Sequence, residues 1–532
     1  MKRFLLALTA AAALWSAACG GGGSNVTPPP PTGNFSAANL NGQYAFVTSG
    51  EVFTPGSISA TPLSRTGSFT ADGQGHITGG VEDVNAAGTV NNAISITGGS
   101  YTISADGRGT LSLSFGSNTL QFGITLTSTS TGDGLLIDET FTTNQASTGS
   151  GNFFKQNTAS FAAPVPDIAG PYVFDFSGLD GNQTFPCPCP ESFVGEFTAS
   201  NGGISSGLFD DNDNGAFVNG TVTGTFAQDP LHSATLSGAG RGVALIAGQN
   251  FVFYIVDSTR VRFLSTNGGM LSGDAVAQAN VPTSLTGGFV FVVAGASGSG
   301  GVTRIGRFSV SGSSVTSVLM DTNDAGNFHQ TNTNNVTNAS ITLDSANPGR
   351  GIVTFTDSQL SVPLTFVFYL SSPNSGVIQD VSQSATKGAT DVADGSIAAQ
   401  SGSPFTSSNV KGTYAFNWSG LSIQNGGSFA VQDEEDLVGQ ASVSSLNLSG
   451  AADIFQFQSV VGPKANLGVG GSITIRGDGT GGDGQRSTIS VNLTGANPIN
   501  FVVYFVNPQL AFFANTSTSS TRIVVGILKA QQ

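Results

Sequence analysis

One segment of this chain is written four times. Asn41-Gly42-Gln43-Tyr44-Ala45-Phe46 returns as Ala169-Gly170-Pro171-Tyr172-Val173-Phe174, as Thr286-Gly287-Gly288-Phe289-Val290-Phe291 and as Lys411-Gly412-Thr413-Tyr414-Ala415-Phe416. Each copy closes on a second signature, Gly-x-x-x-x-Gln: Gly151 with Gln156, Gly273 with Gln278, Gly395 with Gln400, Gly526 with Gln531. A repeat of about 120 residues has the length of a domain, not of a solenoid turn of about 20–50 residues. The chain therefore divides into four units, each large enough for its own core: 35–157, 158–278, 279–402 and 403–532.

Within a unit the pattern is that of strands. The opening segments alternate large and small side chains: Tyr44 and Phe46; Tyr172, Phe174 and Phe176; Phe289, Phe291 and Val293; Tyr414, Phe416 and Trp418. Period two with aromatics on one face describes a half-buried strand. The Ser-Gly that follows, as in Ser177-Gly178 and Ser419-Gly420, reads as its end. Asp72-Gly73-Gln74-Gly75 and Asp106-Gly107-Arg108-Gly109 then sit between alternating apolar runs, and such Gly-bearing turns make tight hairpins. The second turn returns at Gly240-Arg241-Gly242 and Gly349-Arg350-Gly351, and has drifted to Asp483-Gly484-Gln485-Arg486 in repeat 4.

A longer strand follows, and in repeats 2 to 4 it is apolar on both faces: Phe251, Phe253 and Ile255 against Val252, Tyr254 and Val256. Such a strand is covered on both sides or lies at a contact between domains. Eight short strands per repeat, in neighbour order, predict an all-β chain of four tandem up-and-down antiparallel barrels. An immunoglobulin-like β-sandwich fits the strand count as the alternative. The opening Gly-x-Tyr/Phe also resembles the Gly-x-Trp start of lipocalin-type barrels, with Tyr or Phe where that family has Trp. Aromatics on two strands of an eight-stranded barrel should meet across its centre and fill it.

The N-terminus reads as an export signal over 1–18. Lys2 and Arg3 precede an apolar stretch too short to span a bilayer, then Ser16-Ala17-Ala18 and Cys19. This resembles the signal of bacterial lipoproteins, with Ser16 where that family usually has Leu. The resemblance implies that Cys19 is lipidated. Gly20, where Asp would mark inner-membrane retention, implies the outer membrane or cell surface. Plain secretion with an incidental Cys19 is the alternative. Residues 19–34, with Gly20 to Gly23 and Pro28 to Pro31, read as a spacer that does not pack.

The chain carries 18 Lys and Arg against 33 Asp and Glu, a net charge of -15, which excludes a nucleic-acid partner. Charged residues make up only 10%, so the surface is an uncharged polar coat. Cys187 and Cys189, in a Pro-Cys-Pro-Cys-Pro run of repeat 2 alone, read as a surface loop, with a labile disulfide as the alternative.

Candidate chemistry is sparse. Asp210, Asn212, Asn214 and Gly215 match the first half of an EF-hand-type calcium loop, with oxygen ligands at alternate positions. Thr221 falls where the bidentate Glu should close it, and Asp and Asn also form ordinary turns. Related segments are Glu82-Asp83-Val84-Asn85 and Asp321-Thr322-Asn323-Asp324, and repeat 4 aligns here as Ser445-Leu446-Asn447. Arg108, Arg241 and Arg350 share one place in the repeat, either gripping an anion or covering the barrel with an apolar stem. Asp433-Glu434-Glu435-Asp436 reads as a solvated loop. His76, His232 and His329 occupy unrelated positions, and no nucleophile elbow, HExxH or phosphate loop is present.

These features predict no catalytic site and no cofactor beyond the calcium candidate. They favour a lipid-anchored surface protein of structural or adhesive character. Its four barrels would form an extended object that meets a protein or polysaccharide partner. The alternative is a carrier enclosing a small apolar ligand in each barrel, and an exported hydrolase is the third reading.

Overall fold

The computed structural model describes residues 26–57, 59–161, 168–180, 189–228, 238–298, 300–360, 363–382, 391–422, 434–457, 459, 461–475, 486–515 and 522–532. Cys19 and the expected signal lie outside them, as do Cys187, His232 and Asp433.

Each repeat closes into an eight-stranded antiparallel barrel of up-and-down order. In barrel 1 the strands are Asn41–Phe53, Ala60–Asp72, His76–Ala86, Gly98–Ile103, Arg108–Phe115, Asn118–Leu126, Gly134–Asp138 and Ala146–Lys155. The first pairs with the last, Tyr44 opposite Lys155, and this closure rules out a sandwich. Barrel 2 runs from Gly170–Leu179 to Met270–Ala277, barrel 3 from Leu285–Ser297 to Val392–Ala399, and barrel 4 from Gly412–Ser422 to Arg522–Ala530. In barrels 1 to 3 the third strand extends past the barrel wall into a hairpin of its own, with Thr89–Ile96, Ala216–Thr221 and Asn327–Thr331 as the returning strands. These tips turn at Ala87-Gly88, Asn214-Gly215 and Ala325-Gly326, all at positive φ, as two-residue hairpin turns demand.

The aromatic faces point inward. Tyr44 stacks on Phe69 with ring centroids 5.5 Å apart and meets Phe153 edge-on. In barrel 2, Phe176 contacts Phe174, Phe251 and Phe263 at 4.8, 4.9 and 5.1 Å. In barrel 4 the cavity bounded by Phe416, Trp418, Phe501 and Phe513 is about 20 Å³, room for about one water molecule. The volume that an apolar cargo would occupy there is taken by side chains.

Four local readings differ from the structure. The Ser-Gly pairs do not end the first strand, which continues through Gly50, Gly178, Gly295 and Gly420. A Cβ at these glycines would lie 1.9 to 2.3 Å from backbone of the adjoining last strand, so glycine permits the close pairing. The acidic run of repeat 4 is not solvated. Glu434, Glu435 and Asp436 open a strand, Glu434–Ser444, and are all buried. Cys189 is buried and disulfide-bonded rather than on a surface loop. The spacer is not wholly free, because the carbonyl of Val26 accepts a hydrogen bond from Thr494 Oγ1 of barrel 4.

The largest difference is in the assembly. The barrels do not form an extended string. The first strands of each barrel pack on the last strands of the next, and those of barrel 4 pack back on barrel 1. Small apolar clusters mark the seams: Ala45 and Val81 with Tyr254 and Val256; Val173 and Val194 with Val367 and Tyr369; Val290 and Ile305 with Val502 and Tyr504; Ala415 and Val438 with Leu135 and Ile137. The second apolar face of the long strand is therefore a seam, as its pattern predicts. The four barrels close into a ring.

Candidate functional site: seams and axis of the ring

The repeated signatures converge on the seams. The terminal Gln of each barrel reaches into the next barrel and donates Nε2–H to main-chain carbonyls there. Gln156 binds Ala239 and Ile255 at 3.0 and 2.6 Å, and Gln278 binds Pro348 and Leu370 at 3.3 and 3.0 Å. Gln400 binds Phe505 at 2.7 Å, and Gln531 binds Asp106 and Leu126 of barrel 1 at 2.9 and 2.8 Å. Both the motif at the end of the chain and the motif at the end of each internal repeat thus serve one purpose, and the fourth closes the ring.

The fixed arginine forms a clamp across three seams. Arg241 donates Nε–H and Nη2–H to the two oxygens of Asp83 at 2.8 and 2.7 Å, and Tyr254 donates its hydroxyl at 2.6 Å. Arg350 and Tyr369 hold Asp210 in the same way, with both guanidinium bonds at 2.8 Å. Arg486, the fourth member, holds Asp321 through Nε at 2.8 Å, with Tyr504 at 2.6 Å. The anion that each arginine grips is the carboxylate of the preceding barrel. Bidentate charge-assisted pairs of this kind fix orientation as well as energy.

The residues of the calcium-like segment are divided between seam contacts and a turn. Both Asp210 oxygens accept from Arg350. Asn212 donates Nδ2–H to the carbonyls of Asp380 and Asp391 at 3.1 and 3.0 Å, and its Oδ1 accepts from Gly215 N at 3.0 Å. Asn214 supplies positive φ to the turn. Asn85 and Asn323 repeat the contact of Asn212 on Ser265 and Gly269, and on Asn515 and Arg522. Among the described residues, no group of three or more His, Cys, Asp or Glu is placed to hold a metal ion. His76 and His329 each pair with an aspartate of their own barrel, Asp72 and Asp357.

The alignment of repeat 4 changes with the ladder register. Asp83, Asp210 and Asp321 face Thr66, Val194 and Ile305 on the second strand, and the residue so placed in barrel 4 is Asp453, opposite Val438. Ser445 and Leu446 lie in a turn. The seam that Asp453 joins is built differently. Arg108 bonds its own Asp106 and Asn466 of barrel 4. Thr125 stands where the other barrels have the clamp tyrosine. Phe455 replaces the docking Asn and packs against Phe53 and Phe141. Carboxyls gather there: burial, then Asp453 and Asp138, push Glu139 up to about 8. Burial, with Asp436 and Glu51 beside it, also raises Glu434, which accepts from Thr148 of barrel 1 at 3.0 Å.

Facing the ring axis, residues of all four barrels line an open cavity of about 590 Å³, with Gly50, Gly178, Gly295 and Gly420 among them. Nearby, burial together with Asp394 and Asp274 raises the carboxyl of Asp175. Glu435 faces the inside of barrel 4, where Trp418 Nε1 and Arg522 hold it at 3.0 and 2.8 Å. Sequence reasoning singled out the Gln, Arg and Asp positions as repeated but could not join them, since each pair lies in different barrels. Repetition of type and position was the available signal.

No protein-family model matches the chain, and no curated protein matches it. Several solved structures are similar in part. A protein described as AttH from Nitrosomonas europaea is 11% identical, with a TM-score of 0.20 over 47% of this chain and 99% of its own. Transferrin binding protein B of Haemophilus parasuis is 10% identical, with a TM-score of 0.18 over 75% and 83%. The same protein from Neisseria meningitidis serogroup B is 11% identical, with a TM-score of 0.16 over 75% and 83%. At such scores nothing about this chain's partners follows from them.

Proposed function

We propose that this chain is an exported protein, anchored by lipid on Cys19 at the outer membrane or cell surface. It acts as a rigid four-barrel contact body for a protein or polysaccharide partner and not as an enzyme. The observation that carries the reading is where the chain uses its reactive side chains. The seam Arg, Asp and Gln residues hold barrel to barrel and the aromatics fill the barrels, which leaves loops and an uncharged polar surface for contact. The closed ring also sets Val26, the first described residue, against barrel 4 and Gln532 against barrel 1, where Gln532 N donates to Thr127 O at 3.0 Å. An anchor ahead of Val26 would hold the body from the side of barrel 4.

The test is fractionation of cells expressing wild type or Cys19→Ser, with external protease added to intact cells. The reading expects wild type in the membrane fraction and open to protease, and Cys19→Ser in the soluble fraction. A Cys19→Ser protein that stays with the membrane, or a wild type shielded from protease in intact cells, would refute it.

A further inference from the structure

The inward-facing positions at one end of the barrels differ in kind between repeats. Thr48 and Arg65 pair across the first two strands of barrel 1, and the same ladder positions hold Phe176 with Phe193 in barrel 2 and Trp418 with Leu437 in barrel 4. On the third strand, opposite the glycine that all four repeats share on the second, stand Glu82, Phe209, Met320 and Ala452. Barrel 1 thus carries a buried charged group where barrels 2 and 4 carry apolar plugs. Barrel 3 has Arg304 at the position of Arg65 but ties it to Asp380 and Asp391.

Arg65 is held loosely. Its Nη1 lies 3.4 Å from Glu82 Oε1, its Nε lies 3.7 Å from Asp138 Oδ2, and that buried Nε–H has no hydrogen-bond acceptor. The group forms the floor of an open cavity of about 670 Å³ at the mouth of barrel 1, within the roughly 300–1,000 Å³ range of small-ligand sites. Asn91, Asn118 and Gln145 stand exposed on its rim, beside the half-buried rings of Phe115 and Phe141. A buried ion group confers no stability that apolar side chains of the same volume would not, and leaving one donor unsatisfied costs more. Barrel 2 shows that apolar side chains fit these positions.

We infer that the mouth of barrel 1 is a binding site for a neutral saccharide. Hydroxyl groups are the ligand chemistry that answers this floor, because each can accept from the guanidinium of Arg65 and donate to the carboxyl of Glu82, both of which line the cavity. An anion would face the Glu82 carboxyl beside the guanidinium, whose charge the buried Asp138 already answers. A cation would meet the guanidinium in the same floor. The rim amides suit further hydroxyls, and the Phe115 and Phe141 rings suit the apolar face of a pyranose. The site goes beyond the contact-body reading and does not need the anchor, so the outcome of the fractionation leaves it untouched.

The experiment is ligand-observed NMR on the full chain with maltotriose, cellotriose, laminaritriose and chitotriose. Trigalacturonate and spermidine serve as charged comparators. Variants are Glu82→Gln, which keeps the shape of the floor, and Asn118→Ala with Gln145→Ala, both exposed and unable to unfold the barrel. The expected result is binding of at least one neutral trisaccharide, weakened at least about tenfold in Glu82→Gln, the effect of losing a hydrogen bond to a charged group. Weakening in the rim variant is expected too. No neutral trisaccharide bound at millimolar concentration, binding of a charged comparator alone, or equal binding by wild type and the rim variant would each overturn it.

Discussion

Replacing Arg350 by Met should open the seam between barrels 2 and 3 more than any surface change could. Asp210 is fully buried, and its carboxylate has three donors: two N–H groups of Arg350 and the Tyr369 hydroxyl. Arg350→Met removes the counter-charge and two of those bonds. Stranding one member of a buried pair costs about 3–5 kcal/mol, most of it from the charge left behind. Four packed barrels will not unfold in a single step, so the seam must be read locally. Hydrogen exchange at the amides around Asn212 to Gly215, and at Asp380 and Asp391, does this. At 1.4 kcal/mol per tenfold, exchange there should rise about a hundredfold to a few thousandfold. The other seams should stay protected. The triple variant Asp210→Leu, Arg350→Met, Tyr369→Phe leaves no polar group unpaired and should recover protection to within about tenfold of wild type. A cost below about 1 kcal/mol for Arg350→Met would mean that water reaches Asp210 and the clamp is no clamp. A triple variant as open as the single one would show that shape, not charge, holds this seam.

Gln531→Ala removes the two bonds to Asp106 and Leu126 and leaves those carbonyls bare; we expect a loss of about 1–3 kcal/mol, seen as faster exchange around 126–129 and unchanged exchange at the Gln278 seam. Phe416→Ala empties part of a core whose cavity is only about 20 Å³, so barrel 4 should lose about 3–5 kcal/mol, and an unchanged melting profile would argue against a filled barrel. The seam between barrels 4 and 1 should weaken as pH rises. Burial raises Glu139 to about 8, so the folded state holds a proton that the unfolded state has released above about 4.3. Stability is then highest below that window, falls by up to about 1.4 kcal/mol per pH unit through it, and levels off above it. Urea midpoints between pH 5 and 8 should show this slope, reduced in Glu139→Gln; a midpoint that climbs with pH, or a variant with the wild-type slope, would contradict it.

Most strands, the Asp-Gly turns, the inward aromatics and the eight-strand count were legible in the sequence, because each is a short-range matter; where the first strand ends and the hairpin that extends the third were not. Period two puts side chains on alternate faces, and Gly or Asn at positive φ turns the chain within two residues. The same is true of the long strand with two apolar faces, whose second face had to meet something. What it met was not legible. Asp83 and Arg241, or Asp210 and Arg350, stand far apart in the chain with no local pattern linking them, so each appeared alone, as a turn former or a stray cation. Glu434 and Asp436 looked solvated for the same reason, since burial there comes from a strand and a neighbouring barrel rather than from adjacent residues. The fourth acid, Asp453, was hidden by drift in repeat 4 and emerged only when the ladder register counted residues from strand to strand. The sequence by itself determined four like barrels in a row. Whether they would lie in a line or bend back on themselves depended on how one seam's angle repeats, and only the tertiary structure, where Gln531 finds the acceptors in barrel 1 that Gln156 finds in barrel 2, made the row a ring.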